Sequence, residues 1–225
     1  MNPRHLTWLG YFALFGLLQA VVATLFGHLH ADAGLTPFGH TISDYAAADR
    51  SGPVETAIFL AGVAALPLLG ALKAVGAPVS RLVTVLFGLW SAGLMVTAIV
   101  PTDPLGHAAM STAGYVHRYA STLAFGALVV AGIALAARLR RHSAWRDLRH
   151  AVTGLCAVAV TAAVGVTWST YFGDRLLLGL FERTLAAAML GMLIVLALRA
   201  IRLQRAAVAA TAPATAPARL HVRAA

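Results

Sequence analysis

The sequence predicts an all-α integral membrane protein: a bundle of six transmembrane helices with both termini in the cytoplasm. Three observations predict it. Of 225 residues, 60% are hydrophobic and 11% charged, with a mean hydropathy of +0.79; too few polar side chains remain to cover a water-soluble surface. Six apolar runs are each long enough to cross ~30 Å of hydrocarbon, which takes about 20 helical residues. The charges are also sorted. Every acidic residue except Asp147 falls in three alternate gaps between the runs or near the run ends that border them, as do His28, His30, His40, His107 and His117, while most of the 17 lysines and arginines fall on the opposite side. Basic loops stay in the cytoplasm, so the carboxylates and imidazoles gather at the outer face. This sorting predicts a multi-pass protein of the cell inner (cytoplasmic) membrane. The formal charge of +9 then reports topology: the basic residues flank apolar runs and meet anionic lipid heads, so membrane lipid is an expected partner and nucleic acid is not.

The first run, Leu6 to Phe26, follows Arg4. Its apolar stretch is longer than the 7 to 15 residues or so of a secretory signal, so it is expected as a retained first helix. The first outer gap contains His40-Thr41-Ile42-Ser43-Asp44-Tyr45. Thr41 with Asp44 three residues on matches the capping box, in which each side chain bonds the other residue's backbone N–H; a short helix should begin there, bringing Ser43 and Asp44 into one polar patch. The second run is Val54 to Val75, with Pro67 expected to kink it, and the third is Leu82 to Val100. In the second outer gap Asp103 precedes Pro104, a pairing that predicts a helix capped by Asp103, with His107 one turn in. The fourth run, Val116 to Ala137, starts beside His117 and Arg118. Ionisable groups at the rim of a bundle face its interior or a water-filled cavity.

An arginine-dense cytoplasmic loop, Arg138 to His150, leads to the fifth run, Ala151 to Trp168. Its cysteine, Cys156, is the only one in the chain, which excludes an intramolecular disulfide and a cysteine-based metal cluster and leaves a packing role. The third outer gap leads into the sixth run, Leu176 to Ile201, which carries Glu182 and Arg183. A carboxylate at mid-helix costs about 2.5 to 3.5 kcal/mol on insertion scales, so Glu182 requires a partner. Arg183, its helical neighbour, points about 100° away, which makes Arg118 or Arg175 the expected mate. Small residues throughout the runs allow close helix packing, and Trp8, Tyr11, Trp90, Trp145, Trp168, Tyr171 and Phe172 read as interfacial anchors. Residues 1–205 are expected to form the transmembrane domain. Residues 206–225, rich in Ala, Thr and Pro, are expected to be a disordered cytoplasmic tail.

The outer segments resemble a prokaryotic integral-membrane family known as domain of unknown function 998. The resemblance rests on His40-Thr41-Ile42-Ser43-Asp44-Tyr45 followed by Gly52-Pro53, on Pro101-Thr102-Asp103-Pro104 with His107, on His117 at the head of the fourth helix, and on Gly179-Leu180-Phe181-Glu182-Arg183. It implies six transmembrane helices with these polar positions as signature, and no activity. A fainter similarity is to ceramidase and progestin-receptor-like membrane hydrolases, which use Ser, Asp and His at a zinc site; it implies such parts for Ser43, Asp103, His107 and His117. The chain departs from that pattern in having six runs instead of seven and no His-x-x-x-His pair near its end.

The functional expectation is an outward-facing polar pocket of Ser43, Asp44, Asp103, His107, His117 and Glu182 in an enzyme acting on a lipid-like or amphiphilic molecule. Asp103, His107 and His117 are an adequate ligand set for zinc or a similar divalent ion. His107 and His117 would lie about 80° apart on one unbroken helix, so this set requires a break near Gly114. Metal-assisted hydrolysis would then use Glu182 or Asp44 to move protons. Two other classes fit the same residues: a terpene cyclase whose buried acid protonates an isoprenoid alkene, and a non-enzymatic, proton-coupled transporter or sensor. The absence of an inverted repeat speaks against transport.

Overall fold

The computed structural model describes residues 3–31, 34–106 and 109–211, without the side chains of residues 3–7 and 211. Every regular element among them is helical. In order these are α1 (Pro3–Leu29), the short α2 (Ile42–Ala48), α3 (Pro53–Ala74), α4 (Arg81–Ile99), α5 (Thr112–Leu139), a 3-10 turn (Ser143–Leu148), α6 (Arg149–Tyr171) and α7 (Leu178–Thr211). Six of them are long and apolar enough to cross a membrane, and no other fold satisfies the backbone of such runs in lipid without closing a barrel.

The spanning helices pack in a ring, α1 on α3, α3 on α4, α4 on α5, α5 on α6, α6 on α7 and α7 back on α1, with α7 also touching α3. Alanines line these seams: Ala61, Ala64, Ala65, Ala71, Ala124, Ala131, Ala197 and Ala200 are all buried. Small side chains let helix backbones approach closely where lipid tails remove any drive from apolar area alone. Ser91, buried in α4, donates to the Gly62 carbonyl of α3 at 2.7 Å, a bond that substitutes for water in hydrocarbon.

Alternation of the helices puts α2, residues 100–106 and 109–111, and the 172–177 loop at one end, the histidine end. The 75–80 loop, the 3-10 turn and the C-terminal part of α7 lie at the other, the arginine end. Trp8, Trp168, Tyr171 and Phe172 are exposed near helix ends. Trp90 and Trp145 are not anchors: they are 2% and 1% exposed and belong to the core. Helix azimuth, which run position does not reveal, turns these two rings inward. α3 continues through Pro67. α7 continues through Thr211 and so takes in residues 206–211 of the expected tail, a stretch whose alanines favour helix. Residues 212–225 lie outside the described residues.

Candidate functional site

The site is built on α2. Thr41 accepts from the Asp44 N–H at 3.0 Å while Asp44 Oδ2 accepts from the Thr41 N–H at 2.7 Å, the reciprocal capping box the sequence predicts. Tyr45 and Ala46 turn inward onto Val54, Leu35 and Ile58, and this small apolar cluster seats α2 across the end of the bundle. The orphan N–H of Ile42, in the first turn, is taken by Glu182 Oε2 of α7 at 2.7 Å. Glu182 therefore finds its partner in backbone. Neither expected arginine pairs with it: Arg175 bonds Asp44 Oδ2 at 3.0 Å, and Arg118 lies on the exposed face of α5. The reason is geometric: the first turn of α2 carries a free backbone donor, and only the tertiary structure brings it against α7.

Arg183, which sequence spacing treats only as a neighbour of Glu182, is a hub. Its Nη1 donates to the His40 carbonyl at 2.6 Å and to the Gly179 carbonyl at 3.0 Å, its Nε to His28 Nε2 at 3.0 Å, and its guanidinium lies 4.9 Å from the centre of the Tyr45 ring. His28 Nδ1 faces the Thr24 carbonyl at 2.7 Å, so that nitrogen donates and Nε2 accepts from Arg183. The His28 ring stacks on Tyr45 at 4.2 Å. Gly179 permits this arrangement, because a Cβ there would collide with the His40 carbonyl. The available signal was the position itself: an arginine one turn inside an apolar run must be supplied with acceptors.

Ser43 and His117 meet although 74 residues separate them. Ser43 Oγ lies 2.9 Å from His117 Nε2, and His117 Nδ1 lies 2.9 Å from the Val100 carbonyl. A carbonyl only accepts, so Nδ1 carries the hydrogen and Nε2 presents its lone pair to the Ser43 hydroxyl. The Val100 carbonyl is available because α4 ends at Ile99, and Pro104, four residues on, has no N–H to offer it. His117 is 4% exposed, interior-facing as its position at the rim implies.

Asp103 does not cap a helix beginning at Pro104. Residues 101–104 are irregular and α5 begins at Thr112, where Ser111 is the N-cap, accepting from the Gly114 N–H at 3.0 Å. Asp103 Oδ2 accepts from the Ser111 N–H at 2.9 Å, so it braces the start of α5 from eight residues away. Gly114 does not break α5. It provides the space in which the Asp103 carboxylate sits, since a Cβ there would overlap it. His107 lies outside the described residues. Among those described, no group of three or more His, Cys, Asp or Glu side chains is placed to hold a metal ion. As folded, both ring nitrogens of His117 are engaged, so a metal centre on Asp103, His107 and His117 would require Ser43 to leave.

Ser43 and Glu182 border one cavity of about 60 Å³ inside the bundle. Its walls are mostly apolar, with Ala57, Ile58, Ala61, Leu94 and Leu190, and it reaches Trp90 and Phe125. The Trp90 N–H has no hydrogen-bond partner among the described residues.

Fold and site together define a multi-pass membrane protein with a network of bonded polar side chains at one end of a six-helix bundle, beside a mostly apolar cavity. The chain belongs to the family described as protein of unknown function DUF998, whose model matches residues 14–199. No curated protein and no solved structure matches the chain.

Proposed function

We propose that the protein is a membrane-embedded enzyme that cleaves or transfers the acyl group of a lipid-like, amphiphilic substrate, with Ser43 as nucleophile and His117 as its base. The observation that carries this reading is the 2.9 Å contact from Ser43 Oγ to His117 Nε2, with the ring's other nitrogen held by the Val100 carbonyl. A nucleophile bonded to a base that a third group orients is the arrangement acyl transfer uses. Ser43 Oγ bonds the acyl carbon as its proton passes to Nε2; the carbon–oxygen bond to the leaving group then breaks, and that oxygen takes the proton from Nε2. Water or a second amphiphile, giving its proton to the same nitrogen, adds to the acyl carbon; the bond from that carbon to Ser43 Oγ then breaks, and Oγ takes the proton back from Nε2.

The remaining site residues hold this pair in place. Glu182 and Asp44 fix the start of α2, and Asp103 fixes the start of α5, which carries His117. The apolar cavity beside Ser43 suits an alkyl chain. At about 60 Å³ it is far below the roughly 300–1,000 Å³ of small-molecule sites, so admission of a long chain requires α2 to shift from the bundle end. The bias of acidic residues away from the arginine end orients the site outward across a cell inner membrane, with both termini in the cytoplasm.

A fluorophosphonate probe applied to the purified protein in nanodiscs tests the proposal. Covalent labelling should map to Ser43, and both labelling and hydrolysis of acyl esters should fall about 10³-fold in Ser43→Ala and His117→Ala, each still folded by thermal unfolding. Wild-type protein that neither labels nor turns over any acyl ester would rule the reading out. A second reading draws on Glu182 sharing the cavity with Trp90 and Phe125: an acid beside aromatic faces suits protonation of an isoprenoid alkene and stabilisation of its cation. Cyclic products from polyprenyl substrates, lost in Glu182→Gln and retained in Ser43→Ala, would select it instead.

A further inference from the structure

We propose that the arginine end carries a binding groove for the phosphate of an anionic phospholipid, built by Arg146 and Arg149. This groove lies at the opposite end of the bundle from Ser43 and is independent of the proposed chemistry. It is a shallow groove, open to the surface, lined by Ser143, Arg146, Asp147, Arg149 and His150, a shape that suits a head group lying along the membrane surface better than a buried small molecule.

Two features distinguish it from a merely basic surface. Its backbone is held from both sides: Trp145, in the middle of the 3-10 turn, is buried in the core at 1% exposure, and Arg199 of α7 bonds the Ala144 carbonyl through Nε at 2.9 Å and Asp147 Oδ1 through Nη2 at 3.0 Å. Arg146 and Arg149 thus project from a fixed platform, which lowers the ordering cost of binding. The charge is also left over where it is needed. Asp147, the carboxylate of the groove, is paired with Arg199, and among the described residues no carboxylate lies within 4.0 Å of Arg146 or Arg149. Arg149 spends Nε on His150 Nε2 at 3.0 Å, leaving its terminal nitrogens for a phosphate, whose oxygens match the planar guanidinium fork. The Ser143 hydroxyl adds a neutral donor. The turn lies between the ends of two membrane-spanning helices, at head-group depth, so the phosphate that meets it is that of a lipid.

Native mass spectrometry of the full chain released from nanodiscs of phosphatidylcholine with phosphatidylglycerol gives the test. The wild type should retain phosphatidylglycerol, and Arg146→Ala with Arg149→Ala should retain about tenfold less. Arg140→Ala with Arg141→Ala, which removes the same charge from the exposed residues after α5, should retain as much as wild type. Equal losses in the two pairs would reduce the groove to nonspecific surface charge and overturn the proposal. Displacement of the lipid by added inorganic phosphate would overturn the lipid assignment in favour of a free anion. If the alanine pair misfolds, Arg146→Gln with Arg149→Gln removes the charge and keeps the bulk.

Discussion

The two ends of the bundle treat charge in opposite ways. At the histidine end the charged groups that reach into the bundle are held by bonds between segments far apart in the chain: Arg175 with Asp44, Arg183 with His28 and the His40 carbonyl, Glu182 with the Ile42 N–H. At the arginine end Arg138, Arg140, Arg141, Arg146, Arg202 and Arg205 are exposed, and the loop is held by one buried indole and one clamp, Trp145 and Arg199. The difference follows from surroundings. A charge one turn inside the bundle must be supplied with partners, because burying it unpaired costs several kcal/mol, whereas an arginine at head-group depth is already solvated by water and phosphate and needs none from the protein.

This contrast can be broken at either end. Trp145→Ala should have the largest effect on stability, about 3–5 kcal/mol, since it empties the volume of a fully buried ring. Thermal unfolding in nanodiscs reads the loss, and hydrogen exchange should rise over residues 138–150 while α2 stays protected. Exchange rising equally at α2 would mean that the two ends are not separately held. Arg183→Lys should cost less, about 1.5–3 kcal/mol, because an ammonium cannot serve His28 and two carbonyls in one plane. Here the protection lost should be that of α2, with the 3-10 turn unchanged. Arg175→Ala should matter least, at most about 1 kcal/mol: its side chain is 51% exposed, and a pair so open to solvent is worth little. A cost near that of Arg183→Lys would place Arg175 in the buried network and blur the distinction drawn here.

Much of the fold is legible in single stretches of sequence. The six apolar runs become six helices whose ends differ from the runs by a few residues at most positions, and Thr41 and Asp44 announce α2 because a capping box satisfies itself within four residues. Asp103 shows where such local reading fails. Its grammar fits a cap for Pro104, yet Ser111, nearer α5, takes the N-cap and Asp103 reaches over to brace it. Trp90 and Trp145 show the same failure for burial, since distance from a run's end says nothing about which way a ring faces. Among the site residues, Ser43, Asp44, Glu182 and His117 are brought to one end of the bundle; the roles of Arg183, His28 and the Val100 carbonyl are not visible in spacing.

Helix number, span lengths and the sorting of charge follow from the sequence by itself, because each depends on some 20 neighbouring residues and their transfer into lipid. Which polar groups bond was decided only by the tertiary structure. Ser43 and His117 are 74 residues apart and Arg183 and His28 are 155 apart; whether such pairs meet depends on how each helix is rotated about its own axis, and that rotation is set by the packing of alanines and leucines that carry no chemistry themselves.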